Sequence, residues 1–329
     1  VLALLALAPG AARAQCDPLP DPVTTLAFAS RYVEADATSS QIDPETAEDA
    51  RDALRPVDDF LRDLTRTANA ALRDRDAAAA DCAVSAMAAW AQADALADLG
   101  SDTARLTIGA RLAGFALVLM QAGPLTTLPR DRAEVQAWLT RRLTEQTLFW
   151  ETEAPDGARQ GNLRAWTALA AAALAAETGD PAMRHFAAWS ATFVLCTAQP
   201  DGSLPQEMRR GRLALQYQLH AISPLVVTAL LLGRQGLPLT GACGGALDRA
   251  VGFALDDIAT GAATAAITGE VQSFFDGSDS LDPFHLAWTE AYLALPGAAH
   301  RSRAEALAAP LRPLRYSKLG GDQTRLWGE

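Results

Sequence analysis

Apolar residues recur along this chain at intervals of three and four, in block after block separated by proline- and glycine-rich breaks. Cys16 to Pro22 is proline-rich and extended, and Val23 to Ile42 holds Ser30-Arg31-Tyr32 followed by a polar run that reads as a loop. Asp43-Pro44-Glu45 marks a helix start, an N-cap followed by proline at the first helical position. That helix is predicted to reach about Arg75 and to be interrupted or bent near Pro56. Helices are further predicted over 76–99, 101–121, 130–153 and 162–178, then from the Gly179-Asp180-Pro181 turn to 197, and over 213–234, 246–260, 283–295 and 302–311. Strand alternation and Asn-Gly hairpin turns are missing. About ten helices joined by short breaks make a single all-α domain of antiparallel hairpins, arranged as a bundle, a solenoid or a toroid. No strict repeat of roughly 34 or 40 residues is visible, which disfavours a standard solenoid.

The first fourteen residues, VLALLALAPGAARA, form an apolar run ending in Ala12-Arg13-Ala14, which reads as a secretory signal with an A-x-A cleavage site. The folded domain is then 15–329. A membrane span needs about 20 apolar residues, more than this run supplies. The long apolar stretch 213–233 carries Gln216, Gln218 and His220 and reads as a buried helix, so membrane insertion is not expected. Half of the 329 residues are apolar and a fifth are charged, a globular composition with a sizeable core.

Export changes the reading of the four cysteines. An even count in an oxidising compartment suggests two disulfides. Three pairings are possible; Cys16–Cys82 with Cys196–Cys243 is the expected one, because each bridge ties a segment to its own half, and each would contribute roughly 3–4 kcal/mol. No C-x-x-C or histidine cluster accompanies them, and His185, His285 and His300 are scattered, so no metal site and no cofactor is predicted. The net charge of −11 argues against a nucleic-acid partner. It admits an anionic ligand only where arginines gather locally. Lys318 is the sole lysine, a bias that GC-rich coding explains as readily as any preference for guanidinium chemistry.

Chemically able side chains concentrate in Asp201–Leu225, DGSLPQEMRRGRLALQYQLHAISPL. Arg210 and Tyr217 stand seven apart, two helical turns and one face. Tyr217 and His220 are neighbours at a spacing of three. A guanidinium, a phenol and an imidazole pointing one way suit a carboxylate-bearing substrate. Each has a plainer reading: a buried core tyrosine, a packed histidine, and for Arg209 and Arg212 a solvated run. No G-x-S-x-G, P-loop or G-x-G-x-x-G in strand–helix context is present.

These residues resemble the alginate lyase (poly-β-D-mannuronate lyase) family. DGSLPQEMRRGRLALQY is similar to the family's Gly-x-Leu-Pro-x-Glu segment, which leads through an Arg to a Tyr seven residues on. Leu319-Gly320-Gly321-Asp322-Gln323-Thr324-Arg325 resembles its Leu-Gly-Gly-Glu-x-Thr-Arg ending, and Ser30-Arg31-Tyr32 its Ser-Lys-Tyr near the start of a lid loop. Where the family has Asn-Asn-His-Ser-Tyr-Trp, this chain has Gly161-Asn162-Leu163-Arg164-Ala165-Trp166. The blocks stand in order across about 16–327.

The resemblance implies an incomplete (α/α) toroid with a substrate groove, and β-elimination on a polyuronate without a metal. Negative charge builds at a uronate's carboxylate as its C5 proton leaves, so the carboxylate must be neutralised. Asn162 and Arg210 fall on the family's positions for that task, and Tyr217 on that of the residue acting as base and then acid. Arg31, Tyr32, Trp166, His220 and Arg325 are the expected substrate contacts, Trp166 as a sugar platform in the groove ahead of the alternative that it is simply a core residue. Asn162 suits a helix N-cap equally well. The family's histidine is Leu163 here, so activity is retained without it, or rescued by His220, or lost. The expected partner is an anionic polysaccharide, the protein a monomer, and its place the periplasm or the exterior. The alternatives are a weak or inactive relative that binds such a polymer, and a toroid glycoside hydrolase.

Overall fold

In the computed structural model, which describes residues 16 and 20–328, helices carry the architecture. The predicted leader lies outside the described residues. In chain order come α1 (Pro44–Asp74), α2 (Ala77–Gln92), α3 (Asp102–Thr107), α4 (Gly109–Ala122), α5 (Pro129–Thr152), α6 (Asp156–Arg159), α7 (Asn162–Thr178) and α8 (Pro181–Leu195). They are followed by α9 (Pro205–Met208), α10 (Ala214–Arg234), α11 (Ala246–Asp257), α12 (Ala262–Thr268), α13 (Trp288–Ala294), α14 (Arg301–Ala308) and α15 (Gln323–Trp327). Two short ladders accompany them: β1 (Thr25–Leu26) runs parallel to β2 (Asp98–Leu99), and β3 (Arg315–Tyr316) antiparallel to β4 (Gly321–Asp322).

Capping explains most of the boundaries. The Asp43 carboxylate accepts from the Thr46 amide at 3.0 Å, and Pro44 takes the first helical position. Asp76 and Asp180 cap α2 and α8 in the same manner. Pro56 sits inside α1, which continues past it to Asp74. The predicted 76–99 helix stops at Gln92. Asp94 and Leu96 adopt left-handed backbone there, and the Ala95 carbonyl accepts from the Trp138 indole at 2.8 Å. Leu96 then donates to the Val23 carbonyl at 2.8 Å, strapping the N-terminal segment to the helices.

Three helices form the inner row. α4, α7 and α10 are apolar around most of their circumference and correspondingly buried, whereas α1 presents one apolar stripe, Val57, Phe60, Leu61, Leu64, Ala68 and Ala71, and leaves its acidic and basic residues outside. α7 packs between α4 and α10, with α8 behind it; α1 and α2 extend the layers past α4, and α11 and α13 past α10. Gly211–Arg234 is long and apolar enough to cross a membrane, but most of it is buried within the protein. Aromatic contacts link the layers: Phe60 stacks on Trp90 at 4.2 Å, and Phe115 meets Trp138 edge-on at 5.6 Å. The paired hairpins form the expected (α/α) toroid. Cys16–Cys82 and Cys196–Cys243 are joined as expected, with Cα separations of 5.5 and 5.2 Å.

The predicted 101–121 helix is two. The two meet at Ile108, whose backbone is still helical, and Gly109 opens α4 against α7, where a Cβ would come within 2.3 Å of Thr167 Oγ1 and 3.0 Å of its backbone nitrogen. Thr167 cannot yield easily, because its hydroxyl also receives the Trp150 indole N–H at 2.9 Å. Gly109→Ala is therefore expected to destabilise by about 1–3 kcal/mol through overpacking. A guanidinium-unfolding midpoint equal to wild type would show that the α4–α7 contact is slack.

Candidate active site

At one end of the inner row the first turns of α7 and α10 lie side by side, covered by the 28–43 segment and flanked by the 315–325 segment. The cover is a folded strap. Val33 donates to the Gln41 carbonyl and Asp43 to that of Arg31, both at 3.0 Å. The Asp36 carboxylate holds the tip through the Thr38 hydroxyl at 2.6 Å and the amides of Thr38, Ser40 and Gln41 at 2.9, 2.7 and 2.7 Å, and these bonds, the hydroxyl's first, draw its pKa far below the ordinary value.

This strap delivers Arg31 and Tyr32 onto Tyr217 of α10. The Tyr32 and Tyr217 hydroxyls share a short hydrogen bond. Arg31 donates Nη2 to Tyr217 at 3.0 Å and to Tyr32 at 2.7 Å, and Nε to Tyr32 at 2.9 Å. The Arg210 guanidinium lies 4.1 Å from the Tyr217 ring centroid and 4.6 Å from that of Tyr32, cation–π contacts with both phenols. Arg210 is not on the Tyr217 helix as its spacing predicted. It precedes a 3₁₀ turn, Gly211–Leu213, opened by Gly211 at φ +52°, and reaches the ring from there.

Two phenols in contact thus acquire opposite tendencies. Burial pushes Tyr217 up, but the charges of Arg31 and Arg210 and the hydrogen bonds from Tyr32 and Arg31 outweigh it, leaving its pKa below the ordinary 10.0. Burial, reinforced by the neighbouring Tyr217, pushes Tyr32 above that value. Tyr217 is therefore the phenol that ionises first, with Tyr32 as its donor.

Asn162 joins this cluster through Glu207 of α9. The Glu207 carboxyl, 1% exposed, accepts the Asn162 backbone N–H at 2.7 Å and its side-chain Nδ2–H at 2.8 Å. Asn162 is the first residue of α7 rather than its cap, and Glu207 supplies from outside the anion that a helix N-terminus favours. Gly161 permits the approach, since a Cβ there would lie 2.9 Å from Glu207 Oε1. Burial pushes the Glu207 pKa up to about 7 against the opposing pull of Asn162 and of Arg210.

Beside Tyr217, His220 meets its ring edge-on at a centroid distance of 6.1 Å. The Trp166 indole donates to His220 Nε2 at 2.9 Å, which places the imidazole proton on Nδ1. Burial first, then the charges of Lys318 and Arg31, hold the His220 pKa well below 6.5, so the ring is neutral. Trp166 is 1% exposed and packs edge-on against Tyr316 at 5.9 Å. It is a buried support for His220, not the open sugar platform expected from the sequence: its indole is enclosed by α7, α10 and the C-terminal segment.

Arg325 stands apart from this cluster. It lines a cavity of about 830 Å³ with Arg62, Arg66, Arg73, Arg315, Lys318 and Asp322, and Tyr316 and Phe284 line it as well. Burial, followed by the charge of Arg111, brings Lys318 down to about 8. Glu207, Lys318 and Tyr316 escaped the sequence reading as site residues. In the sequence Glu207 is one residue of the Gly-x-Leu-Pro-x-Glu segment and Lys318 is the sole lysine. Leu163 is half-buried and packs on the core.

A family model described as alginate lyase matches residues 27–264. An alginate lyase of Pseudomonas syringae pv. syringae (strain B728a) is 26% identical over 323 residues, covering 95% of this chain and 82% of that protein. A polysaccharide lyase of Stenotrophomonas maltophilia is 30% identical over 249 residues, covering 74% and 73%. Among solved structures, alginate lyase A1-III from Sphingomonas species A1 superposes with a TM-score of 0.76 at 21% identity, covering 95% of this chain and 86% of that one. A variant of A1-III complexed with a tetrasaccharide superposes at 0.79 with 22% identity and the same coverage.

The geometry makes a direct statement about His220. An NMR titration of the protein should find its imidazole neutral at pH 6.5, with its midpoint below that value. A midpoint at or above 6.5 would mean that burial and the Lys318 and Arg31 charges do not act on it as described.

Proposed function

The chain belongs to the alginate lyase family, and we propose that it cleaves a mannuronate-type polyuronate by β-elimination, with Tyr217 as base and then acid. The observation that carries this reading is the separation of the two contacting phenols. One is pulled down by two guanidinium groups and the other is kept protonated. A tyrosine at its ordinary pKa near 10 is a poor base at neutral pH. Held between Arg31 and Arg210, Tyr217 becomes a better one.

The step balances within the substrate. Tyr217 oxygen takes the C5 proton; the C5–H electrons form the C4–C5 double bond, the C4–O4 bond breaks, and the departing O4 receives the proton back from Tyr217. Charge accumulating at the uronate carboxylate is met by Arg210 and by the Asn162 amide. Arg31 and Tyr32 on the strap are placed to close over the bound sugar. The Tyr217 oxygen already accepts from both, so the sugar must enter beside or in place of the Tyr32 hydroxyl.

The basic cavity continues the groove along α1, with Arg325 and Lys318 available to uronates beyond the point of cleavage. His220 adds a neutral Nδ1–H donor rather than a cation. Two disulfides fit an oxidising compartment, and we place the protein outside the cytoplasm, as a periplasmic or secreted monomer. Leu163 in the family's histidine position favours a second reading, a relative that binds the polymer and turns it over slowly or not at all.

Incubation with polymannuronate, polyguluronate and glucuronan, followed by the ultraviolet absorbance of the unsaturated uronate, decides between them. Absorbance should rise on polymannuronate and fall by roughly 10²–10⁴-fold in Tyr217→Phe. A Phe variant as fast as wild type would remove Tyr217 from the chemistry, and binding without absorbance on every polymer would establish the second reading. Arg325→Ala should raise KM for the polymer several-fold and leave kcat nearly unchanged. An unchanged KM would remove the cavity from the groove.

A further inference from the structure

The Asn162 carboxamide stands in an orientation that ties one of its donors to Glu207 and leaves its oxygen unpaired. Both Glu207 oxygens accept from Asn162, one from the backbone N–H and one from Nδ2–H, and this leaves Asn162 Oδ1 buried with no hydrogen-bond partner among the described residues. A buried carbonyl oxygen without a donor is costly and calls for an explanation. With one Nδ2–H held by Glu207, the amide has at most one donor left for an arriving carboxylate, beside an unpaired acceptor. Turning the amide half a circle would put Oδ1 against Glu207 Oε2 and free the N–H2, but two acceptors would then face each other. Only a proton on Glu207 makes that arrangement stable.

We infer that Glu207 is the positioning residue for Asn162, and that by taking up one proton from solvent as a uronate binds it turns the carboxamide to present N–H2 to the substrate carboxylate. The inference rests on the lyase reading for the identity of that carboxylate. The protonated carboxyl then donates to Oδ1 while its other oxygen keeps the backbone N–H of Asn162, so every group that was unpaired gains a partner. The electrostatics favour the same outcome. Glu207 is buried, it titrates near 7, and a second carboxylate brought to Arg210 and Asn162 shares the one cation that had favoured its ionised form. Of the elements packed on α9, α12 carries no titratable side chain; α10 contributes Tyr217 and His220, and Arg164 of α7 is turned away onto Glu151 and Ser190. Gly161 is the permissive feature, because a side chain there would displace the carboxyl that does this work.

The test is calorimetric. Polymannuronate oligomers are titrated into the full-length Tyr217→Phe protein at pH 8, in buffers of different ionisation heat, and the slope gives protons taken up per site. The Tyr217→Phe protein should take up about one proton more than Tyr217→Phe/Glu207→Gln. A glutamine can hold the turned amide permanently, its oxygen on the Asn162 N–H and its amide on Oδ1. Lys318, which also titrates near this pH, is present in both and cancels. With Tyr217 intact, KM for the polymer should weaken by up to about tenfold per pH unit above 7, and Glu207→Gln should lack that component. Equal uptake in the two proteins overturns the inference. If Glu207→Gln does not fold, as circular dichroism would show, Tyr217→Phe/Lys318→Met decides: uptake of about one proton supports the inference and none overturns it. Uptake that depends on Glu207 in a protein with no lyase activity would leave the clamp standing and remove the elimination chemistry; lyase activity without uptake would do the reverse.

Discussion

Positive charge left without a carboxylate partner is the constraint on which this end of the molecule depends. The chain carries 39 acidic residues against 28 basic ones, and many of its arginines are neutralised: Arg111 by Asp58 at 2.7 Å, Arg132 by Glu177 at 2.6 Å, Arg312 by Glu290 and Glu305 at 2.7 and 2.6 Å. Among the described residues, no carboxylate lies within 4.0 Å of the side-chain nitrogens of Arg31, Arg210 or Lys318. Phenols surround Arg31 and Arg210 instead, and Lys318 feels the opposed charges of Arg111 and Asp58. Neutral aromatic partners hold a guanidinium in place without cancelling its charge, whereas a salt bridge would leave little for a substrate. The perturbed groups nearby follow from that choice: Tyr217 is drawn down, His220 is kept neutral, and Lys318 loosens its proton.

The fold was legible where local rules and tertiary packing agree. Asp43-Pro44 announced α1, Gly179-Asp180-Pro181 separated α7 from α8, and Asn162 began a helix that ends at Thr178 as predicted. It was not legible where one helix must approach another. Nothing local distinguishes Gly109 from a glycine tolerated inside a helix; what excludes a side chain there is Thr167 of α7 at that height. The short helices α6, α9, α12 and α15 were missed because they are too short to show a period.

The site divides along the same line. Arg210 and Tyr217 were found by a spacing argument whose premise is wrong, since Arg210 lies ahead of the helix, yet the side chain is long enough to reach the ring from a 3₁₀ turn. For Trp166 the core reading holds over the favoured groove reading; an aromatic residue near a groove and one beneath it look alike in sequence. Its burial against Tyr316 and its hydrogen bond to His220 depend on the C-terminal segment, more than 140 residues away in the chain. Glu207 was hidden by composition. In a chain so rich in carboxylates, the one that matters is marked only by its burial and by the amide it holds.

Leu163 poses the remaining question, and the electrostatics of the site answer part of it. On the proposed chemistry, a histidine at that position would lend the carboxylate a hydrogen bond and at most a fractional charge at neutral pH. The surrounding residues already supply two permanent guanidinium charges, a lysine charged below about pH 8, and an asparagine amide whose orientation Glu207 controls. Removing one imidazole from such a set withdraws a donor without changing the sign or the order of magnitude of the local field. The other task open to a histidine, accepting the C5 proton, falls in the proposed chemistry to a phenol already drawn below its ordinary pKa. A leucine that packs on the core therefore costs the site precision in holding the carboxylate more than it costs the capacity to stabilise it, and the strap residues Arg31 and Tyr32, which close directly over Tyr217, are the parts positioned to restore that precision.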